Sequence, residues 1–223
     1  WIMGTNPTDA RFVPPPPEYI MESLGDLEKF FYAHEELPIL IKAGLIHSQF
    51  ETIHPFLDGN GRTGRLLITF YLCQQGILEK PVLYLSEYFK KHRDLYFAML
   101  DKYRKGDVIP WLEFFLKGIS TVAGEAIDTS KKVVDLREKD LHKVSSLGRS
   151  SKNAVILLKN LYRIPIINVK KVEEFVYITR EAANQLVDRF VKLEILSPKD
   201  KGKKYGRLFV YKEYLNLFEG KKG

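Results

Sequence analysis

The chain has 223 residues, 45% hydrophobic and 28% charged, which is enough for two small cores. No apolar run reaches the roughly eighteen residues of a membrane span, and no signal-peptide pattern opens the sequence. Cys73 is the only cysteine, which excludes an intrachain disulfide and leads us to expect a reducing, cytoplasmic setting. The net charge of +7 is unevenly placed. From Gly148 onward there are 17 Lys+Arg against 8 Asp+Glu, whereas residues 1–147 hold 18 against 20, so the basic character belongs to the C-terminal third.

In chain order, Trp1-Ile2-Met3-Gly4 reads as a strand and Thr5-Asn6-Pro7 as a turn. Pro14 to Pro17 form a rigid polyproline connector. An apolar helical pattern then runs through Ala43, Ile46, Phe50 and Ile53, and a second through Leu66, Leu67, Phe70 and Tyr71. Between them lies His-Pro-Phe-Leu-Asp-Gly-Asn-Gly-Arg-Thr-Gly-Arg, from His54 to Arg65. Helix, glycine-rich loop, helix is the predicted local structure, with the loop at the N-terminus of the second helix, where free N–H groups attract phosphate.

Each loop residue has a chemical reason to be there. Gly59 and Gly61 permit positive φ and close approach of phosphate to the backbone. Asn60 can hold the turn or donate to an oxyanion. Arg62 and Arg65, three apart, can both turn planar forks toward phosphates. Asp58 is a hard oxygen ligand suited to Mg²⁺. His54 can take a proton from an attacking hydroxyl near neutral pH. Phe56 is the expected apolar anchor of the loop.

Farther on, Ser86-Glu87 opens a helix expected to run through Tyr96, Phe97 and Leu100 and stop at Gly106. Pro110 in a first helical turn starts the next, with Trp111, Phe114, Phe115 and Ile119 as its core stripe. A long helical pattern ends at the small-residue stretch Ser145-Ser146-Leu147-Gly148, which we take as a domain boundary. Beyond it, helices are expected at 153–162, 169–176 and 180–193, the last capped by Thr179. Two strands at 195–198 and 207–211 flank a basic tip with Lys201, Lys203 and Lys204. This arrangement resembles a winged helix, either reading DNA through its third helix and wing or serving as a protein-interaction module.

The His54–Arg65 segment resembles the Fic motif, His-x-Phe-x-(Asp/Glu)-Gly-Asn-Gly-Arg-x-x-Arg, with every specified position filled. Phe12 to Pro17 resembles the segment after that family's flap hairpin, and the stretch from Leu40 to Ile53 resembles the helix before its motif. The resemblance covers roughly residues 1–125. It implies a mostly α protein: a Fic-type helical bundle with a β-hairpin flap, followed here by a small winged helix. The expected parts are a flap remnant and connector at 1–17, a catalytic helical domain at 18–147 and a winged-helix domain at 148–223. The first flap strand would precede residue 1, so the chain reads as N-terminally truncated.

The implied activity is transfer of AMP from ATP to a Tyr, Thr or Ser hydroxyl of a protein. His54 would be the general base and Asp58 the Mg²⁺ ligand. Gly59, Asn60, Gly61, Arg62, Thr63, Gly64 and Arg65 would hold the nucleotide phosphates, with Arg65 at the γ-phosphate. By its place after the motif, Tyr96 would touch adenine. The family's inhibitory helix carries Ser/Thr-x-x-x-Glu-Gly/Asn. Thr121 to Glu125 match its first five positions but Ala126 does not match the sixth, so such a helix is expected in the missing N-terminal part. The partners implied are a protein substrate, which could add a strand to the flap, and DNA through the winged helix, with a homodimer left open and no membrane. The alternatives are another Fic chemistry (other nucleotidyl or phosphoryl transfer, or removal of AMP) and a nucleotide-sensing DNA-binding regulator.

Overall fold

Helices dominate the computed structural model, which describes residues 2, 5–6, 8–33, 37–80, 84–199 and 206–218. The chain packs as two units, Trp1–Glu125 and Ala126–Gly223. No helix among the described residues is long and apolar enough to cross a membrane.

In the first unit, Ile2 pairs with Phe12 in an antiparallel bridge. The Ile2 N–H donates to the Phe12 carbonyl at 2.8 Å, and the Arg11 N–H donates to the Ile2 carbonyl at 3.0 Å. Both main-chain groups of Ile2 are therefore engaged by the segment at residues 11 and 12. Trp1, Met3 and Gly4 lie outside the described residues. Asp9 closes the expected turn by accepting from the N–H groups of Thr5 and Asn6.

The polyproline connector ends where Pro17 becomes the first residue of α1 (Pro17–Tyr32), a position that needs no N–H. Then come α2 (Ile39–Ile53), α3 (Asn60–Gln74), α4 (Leu85–Lys91), α5 (Arg93–Arg104) and α6 (Ile109–Ser145). The single helix expected from Ser86 to Gly106 is two, broken at His92 (φ −111°, ψ 37°). Few hydrogen bonds are lost there, because His92 N–H still reaches Tyr88 O and Tyr96 N–H still reaches His92 O.

Helix α2 is the centre of this unit. Its apolar stripe Ala43, Ile46, Phe50 and Ile53 is buried as expected, but so are Lys42, His47, Ser48 and Glu51 on its other faces. The predicted stripe of α6, Trp111, Phe114, Phe115 and Ile119, closes the core against it. The contact is close: a β-carbon on Gly44 would lie 2.9 Å from the Phe115 ring, and the Gly44 carbonyl accepts from Trp111 Nε1 at 2.9 Å. On α3 the expected apolar pattern is corrected. Leu66 and Phe70 are exposed, while Ile68, Tyr71 and Leu72 are buried. Cys73 is half-buried.

The second unit takes the Ala126–Ser145 stretch of α6, so packing divides within this helix. It continues with a 3-10 turn at Gly148–Ser150, α7 (Ser151–Leu161), β1 (Ile166–Ile167), α8 (Val169–Val176), α9 (Arg180–Lys192), β2 (Ser197–Pro198), β3 (Phe209–Val210) and α10 (Lys212–Asn216). Asn168 and Thr179 cap α8 and α9 with side-chain oxygens. The sheet is antiparallel in the order β1-β3-β2, with Val210 opposite both Ile166 and Ser197. Strand β1 was not expected. The two predicted wing strands are each only two residues long, because Ile195 and Leu196 pack into the core instead. Lys201, Lys203 and Lys204 lie outside the described residues. Buried Asp140 accepts from the Tyr211 hydroxyl at 2.5 Å through Oδ2, and its Oδ1, which has no hydrogen-bond partner, lies 3.2 Å from Lys143 Nζ, so the ion pair offsets part of the cost of burial.

The α2–α6 contact predicts opposite responses at two helical glycines. Gly44→Ala should cost the first unit about 1–3 kcal/mol through overpacking. Gly124→Ala, whose β-carbon would meet nothing within 4 Å, should leave stability unchanged or raise it by up to about 1 kcal/mol. Urea titration followed by fluorescence of buried Trp111 measures both.

Candidate active site

Helix α2 must stop at His54, because the residue before Pro55 is disfavoured in the α region. His54 adopts a left-handed conformation (φ 49°, ψ 58°), and its N–H still closes the helix onto Phe50 O at 2.9 Å. Such a conformation is uncommon outside glycine, although His tolerates it better than most residues.

The loop that follows is held by one side chain. Asn60, 2% exposed, accepts from Phe56 N–H at 2.9 Å through Oδ1 and donates to Phe56 O at 2.6 Å through Nδ2. The amide thus copies the two-bond pairing of an antiparallel strand. Phe56, the expected anchor, is 51% exposed, with its ring 6.3 Å from that of Phe50. Asn60 does the anchoring assigned to it.

Gly59 starts α3 at φ 89°, where only glycine is comfortable. The first intrahelical bond runs from Thr63 N–H to Gly59 O, and no side chain caps this end. The N–H groups of Asn60, Gly61 and Arg62 therefore have no intrahelical partner, the kind of helix start that favours negative charge. Arg62 and Arg65 fold over it. A β-carbon on Gly59 would lie 3.4 Å from Arg62 Nη2, and one on Gly61 would lie 3.0 Å from Arg65 Nη1. Arg62 pairs with Asp58 at 3.1 Å, and Arg65 Nε donates to Ser86 Oγ at 2.9 Å. Both contacts are exposed, so both exchange readily for a stronger anionic partner.

Asp58 is 93% exposed. No group of three or more His, Cys, Asp or Glu among the described residues is arranged to hold a metal ion. A lone exposed carboxylate suits Mg²⁺, which keeps several waters and takes its other ligands from phosphates.

Beneath the loop lies a polar layer that the sequence reading missed. Gly64 brings α3 so close to α2 that a β-carbon there would sit 2.9 Å from Glu51 Oε1 and 3.1 Å from His47 Nδ1. His47 is fully buried, stacked on Phe89 and Trp111, with Nε2 3.0 Å from the Tyr96 hydroxyl. Burial lowers its pKa to about 4, partly offset by the Gly64 main chain. Burial also raises the Glu51 carboxyl, while the Arg65 and Arg104 guanidiniums pull it back. Arg104 donates to Glu51 O at 3.1 Å and to Asp101 at 3.2 Å, and covers the Phe12 ring at 3.8 Å. Burial lowers the pKa of His54, against a raising contribution from the Glu51 carbonyl. The ring of His54 is thus neutral at physiological pH. Its Nδ1 faces inward without a hydrogen-bond partner, so the edge left to solvent carries Nε2.

All residues from His54 to Arg65 converge in this loop and helix start. Tyr96 is in the core, 6% exposed, packed on Phe89 and Trp111. Thr121 and Glu125 are exposed on α6, and among the described residues Glu125 makes no ion pair with Arg65. The signal for the missed layer was present. Positions 47, 51 and 54 follow helical i, i+4, i+7 spacing, a polar stripe set beside the apolar one.

Residues 4–72 match the Fic/DOC family. Protein adenylyltransferase fic-1 of Caenorhabditis elegans is 35% identical over 110 residues, which cover 48% of this chain and 20% of that protein. A probable protein adenylyltransferase of Aquifex aeolicus is 29% identical over 100 residues, 45% of this chain and 29% of that protein. The chain thus spans less than a third of the curated relatives it matches. A crystal structure of a Fic family protein from Desulfovibrio desulfuricans aligns over 89% of this chain and 56% of its own, with a TM-score of 0.50 and 19% identity, a likeness of fold.

Neutral buried His47 makes acid stability a test of this packing. Folded His47 takes a proton only near pH 4, whereas unfolded it does so near 6.5. Between these values the unfolded chain binds more protons, so His47 leaves stability intact above pH 6.5 and erodes it as pH falls toward 4, by roughly 3 kcal/mol in all. Glu51, shifted upward, acts in the opposite sense, and the comparison with His47→Gln cancels it. His47→Gln should flatten the acid slope of Trp111-monitored unfolding, measured in a Trp1→Phe background.

Proposed function

We propose, from the premise that this chain carries a Fic domain of the Fic/DOC family, that it transfers AMP from ATP to a hydroxyl of a protein. Relatives named protein adenylyltransferase support that class. The observation that carries it to these residues is the juxtaposition of a neutral His54, its Nδ1 turned inward, with the uncapped start of α3 and its two arginines.

The triphosphate lies on the free N–H groups of Asn60, Gly61 and Arg62. Thr63 and Gly64 continue this turn, with the Thr63 hydroxyl holding Gly59 O and so keeping the turn shaped. Arg65 leaves Ser86 for the γ-phosphate and Arg62 leaves Asp58 for the phosphates, which frees the Asp58 carboxylate to hold Mg²⁺. Mg²⁺ held there supplies neutralisation of phosphate charge. His54 Nε2 takes the proton of the acceptor hydroxyl. The acceptor oxygen bonds to the α-phosphorus, the bond from that phosphorus to its bridging oxygen breaks, and pyrophosphate leaves with the electron pair. Positioning and fixed charge do most of this work. Asn60 contributes as the clamp of the loop.

In the second unit, the order α7, β1, α8, α9, β2, β3 and the antiparallel three-stranded sheet support a winged helix over 148–223, reached through the end of α6. If it binds DNA, the association constant should fall with salt at a log–log slope of about −0.9 per phosphate neutralised. Reversing Lys201, Lys203 and Lys204 to glutamate should remove most of that affinity in a salt titration of duplex binding. Salt-independent or absent binding assigns the unit to protein contact.

The enzymatic reading is tested with labelled ATP and Mg²⁺ in lysate. α-Label should appear on protein, whereas transfer of γ-label would mean phosphoryl transfer. His54→Ala should lower kcat at least ~10²-fold with ATP affinity retained. Arg65→Ala should weaken ATP more than ADP, because only ATP offers a γ-phosphate. Near wild-type transfer by His54→Ala would remove this residue from the mechanism.

A further inference from the structure

Directly behind His54 lies a carboxylate that this chemistry does not use. Glu51 is three residues earlier on α2, which places it on the same helical face. It is 5% exposed, and its Oε2 is 3.9 Å from His54 Nδ1. Glu51 Oε1 and His54 Nδ1 are each buried without a hydrogen-bond partner. Buried polar atoms are rarely left so; Oε1 lies with the unpartnered His47 Nδ1 beside Gly64, and Oε2 is the carboxylate oxygen turned to the unpartnered His54 Nδ1. The left-handed turn at His54 is compatible with the ring folding back over the last turn of α2.

We propose that Glu51 is the positioning residue of His54: its carboxylate takes the Nδ1–H bond, so that Nε2 stays bare to receive the proton of the acceptor hydroxyl. The proposal rests on the AMP-transfer reading for its function and on this geometry for its contact. The 3.9 Å gap is too long for a hydrogen bond and closes by a small side-chain rotation, as catalytic hydrogen bonds do when substrate binds. The competing acceptor for Nδ1 is the main-chain carbonyl of Glu51, which accepts from Arg104 Nη2 at 3.1 Å and keeps a second lone pair; Glu51→Gln separates the two, because it removes the carboxylate and leaves the carbonyl.

The charged neighbours favour an ionised Glu51. Arg65 approaches from α3 and Arg104 from α5, both stabilising the carboxylate against burial. Tyr96 from α5 and His47 from α2 complete the surroundings, and His47 stays neutral, adding no charge. When Nε2 accepts the proton, the ring becomes an imidazolium with Nδ1–H toward Glu51, and the carboxylate stabilises that cation. The arrangement follows the logic by which a buried acid orients a catalytic histidine in hydrolases. Arg104 opposes it, lowering the basicity of His54 from the other side.

The test uses the whole chain and Glu51→Gln, which keeps volume and removes charge. ¹⁵N NMR of the histidine rings, without ATP, should show wild-type His54 neutral with the proton on Nδ1. In Glu51→Gln the His54 pKa should fall, because its cation has lost an anionic neighbour. Steady-state labelling should show kcat ~10- to 100-fold lower with KM for ATP unchanged, and the acid limb of kcat moved to lower pH. A merely structural Glu51 would lower stability without moving that limb or the ring pKa. Unchanged His54 pKa in Glu51→Gln overturns the proposal. So does a wild-type ring protonated at Nε2, a result that needs no variant and decides the matter even if Glu51→Gln does not fold. Absence of AMP transfer by wild type would sink the enzymatic reading, while the NMR arm still decides the Glu51–His54 contact.

Discussion

The absence of a β-carbon at Gly64 sets the distance between α2 and α3, and the candidate site depends on that distance. With Gly64 resting on Glu51 and His47, the start of α3 comes down beside the end of α2, and the loop between them must be short and tightly turned. Asn60 then has Phe56 within reach of both ends of its amide. The same approach puts Arg65 near Glu51, so the residue proposed to meet phosphate also bears on the charge of the buried layer. A larger residue at position 64 would push on a carboxylate and an imidazole that have nowhere to go, because His47 is fully buried and already packed on Phe89 and Trp111.

Much of the site was legible because it is contiguous. Glycines at 59 and 61, the amide of Asn60 and the arginines at 62 and 65 act through local geometry: turn, helix start and one helical face. Local geometry is what sequence spacing encodes. The caps at Asn168 and Thr179 and the Trp111 stripe were legible for the same reason.

What was not legible depends on packing between elements. His47 and Glu51 share a stripe by spacing, but a polar stripe on a helix is usually solvated; they are buried because α2 is surrounded, which spacing along α2 alone does not say. Arg104 reaches Glu51 from α5. Leu66 and Phe70 look like core by period, yet α3 turns its other face inward. Tyr96 was assigned by its place after the motif, and its packing on Phe89 and Trp111 is a contact between helices that its position along the chain does not specify. Strand β1, two residues long, exists only because β3 lies beside it.

The Asn60 clamp also bears on how the molecule ages. Asn60-Gly61 is an Asn-Gly pair, the sequence most prone to deamidation, in which the glycine nitrogen attacks the side-chain carbonyl carbon to form a cyclic imide. Asparagine is for such reasons counted among the thermolabile residues. In the folded chain both ends of the Asn60 amide are engaged by Phe56, and Gly61 is fixed in a helical turn. The amide cannot swing to meet that nitrogen until the loop opens. Conversion to aspartate would exchange the Nδ2 donor for an oxygen facing the Phe56 carbonyl, two acceptors in repulsion, and the loop would not close again. Chemical lifetime is therefore governed by how often the loop opens, and anything that holds it shut, a bound nucleotide included, also preserves the asparagine.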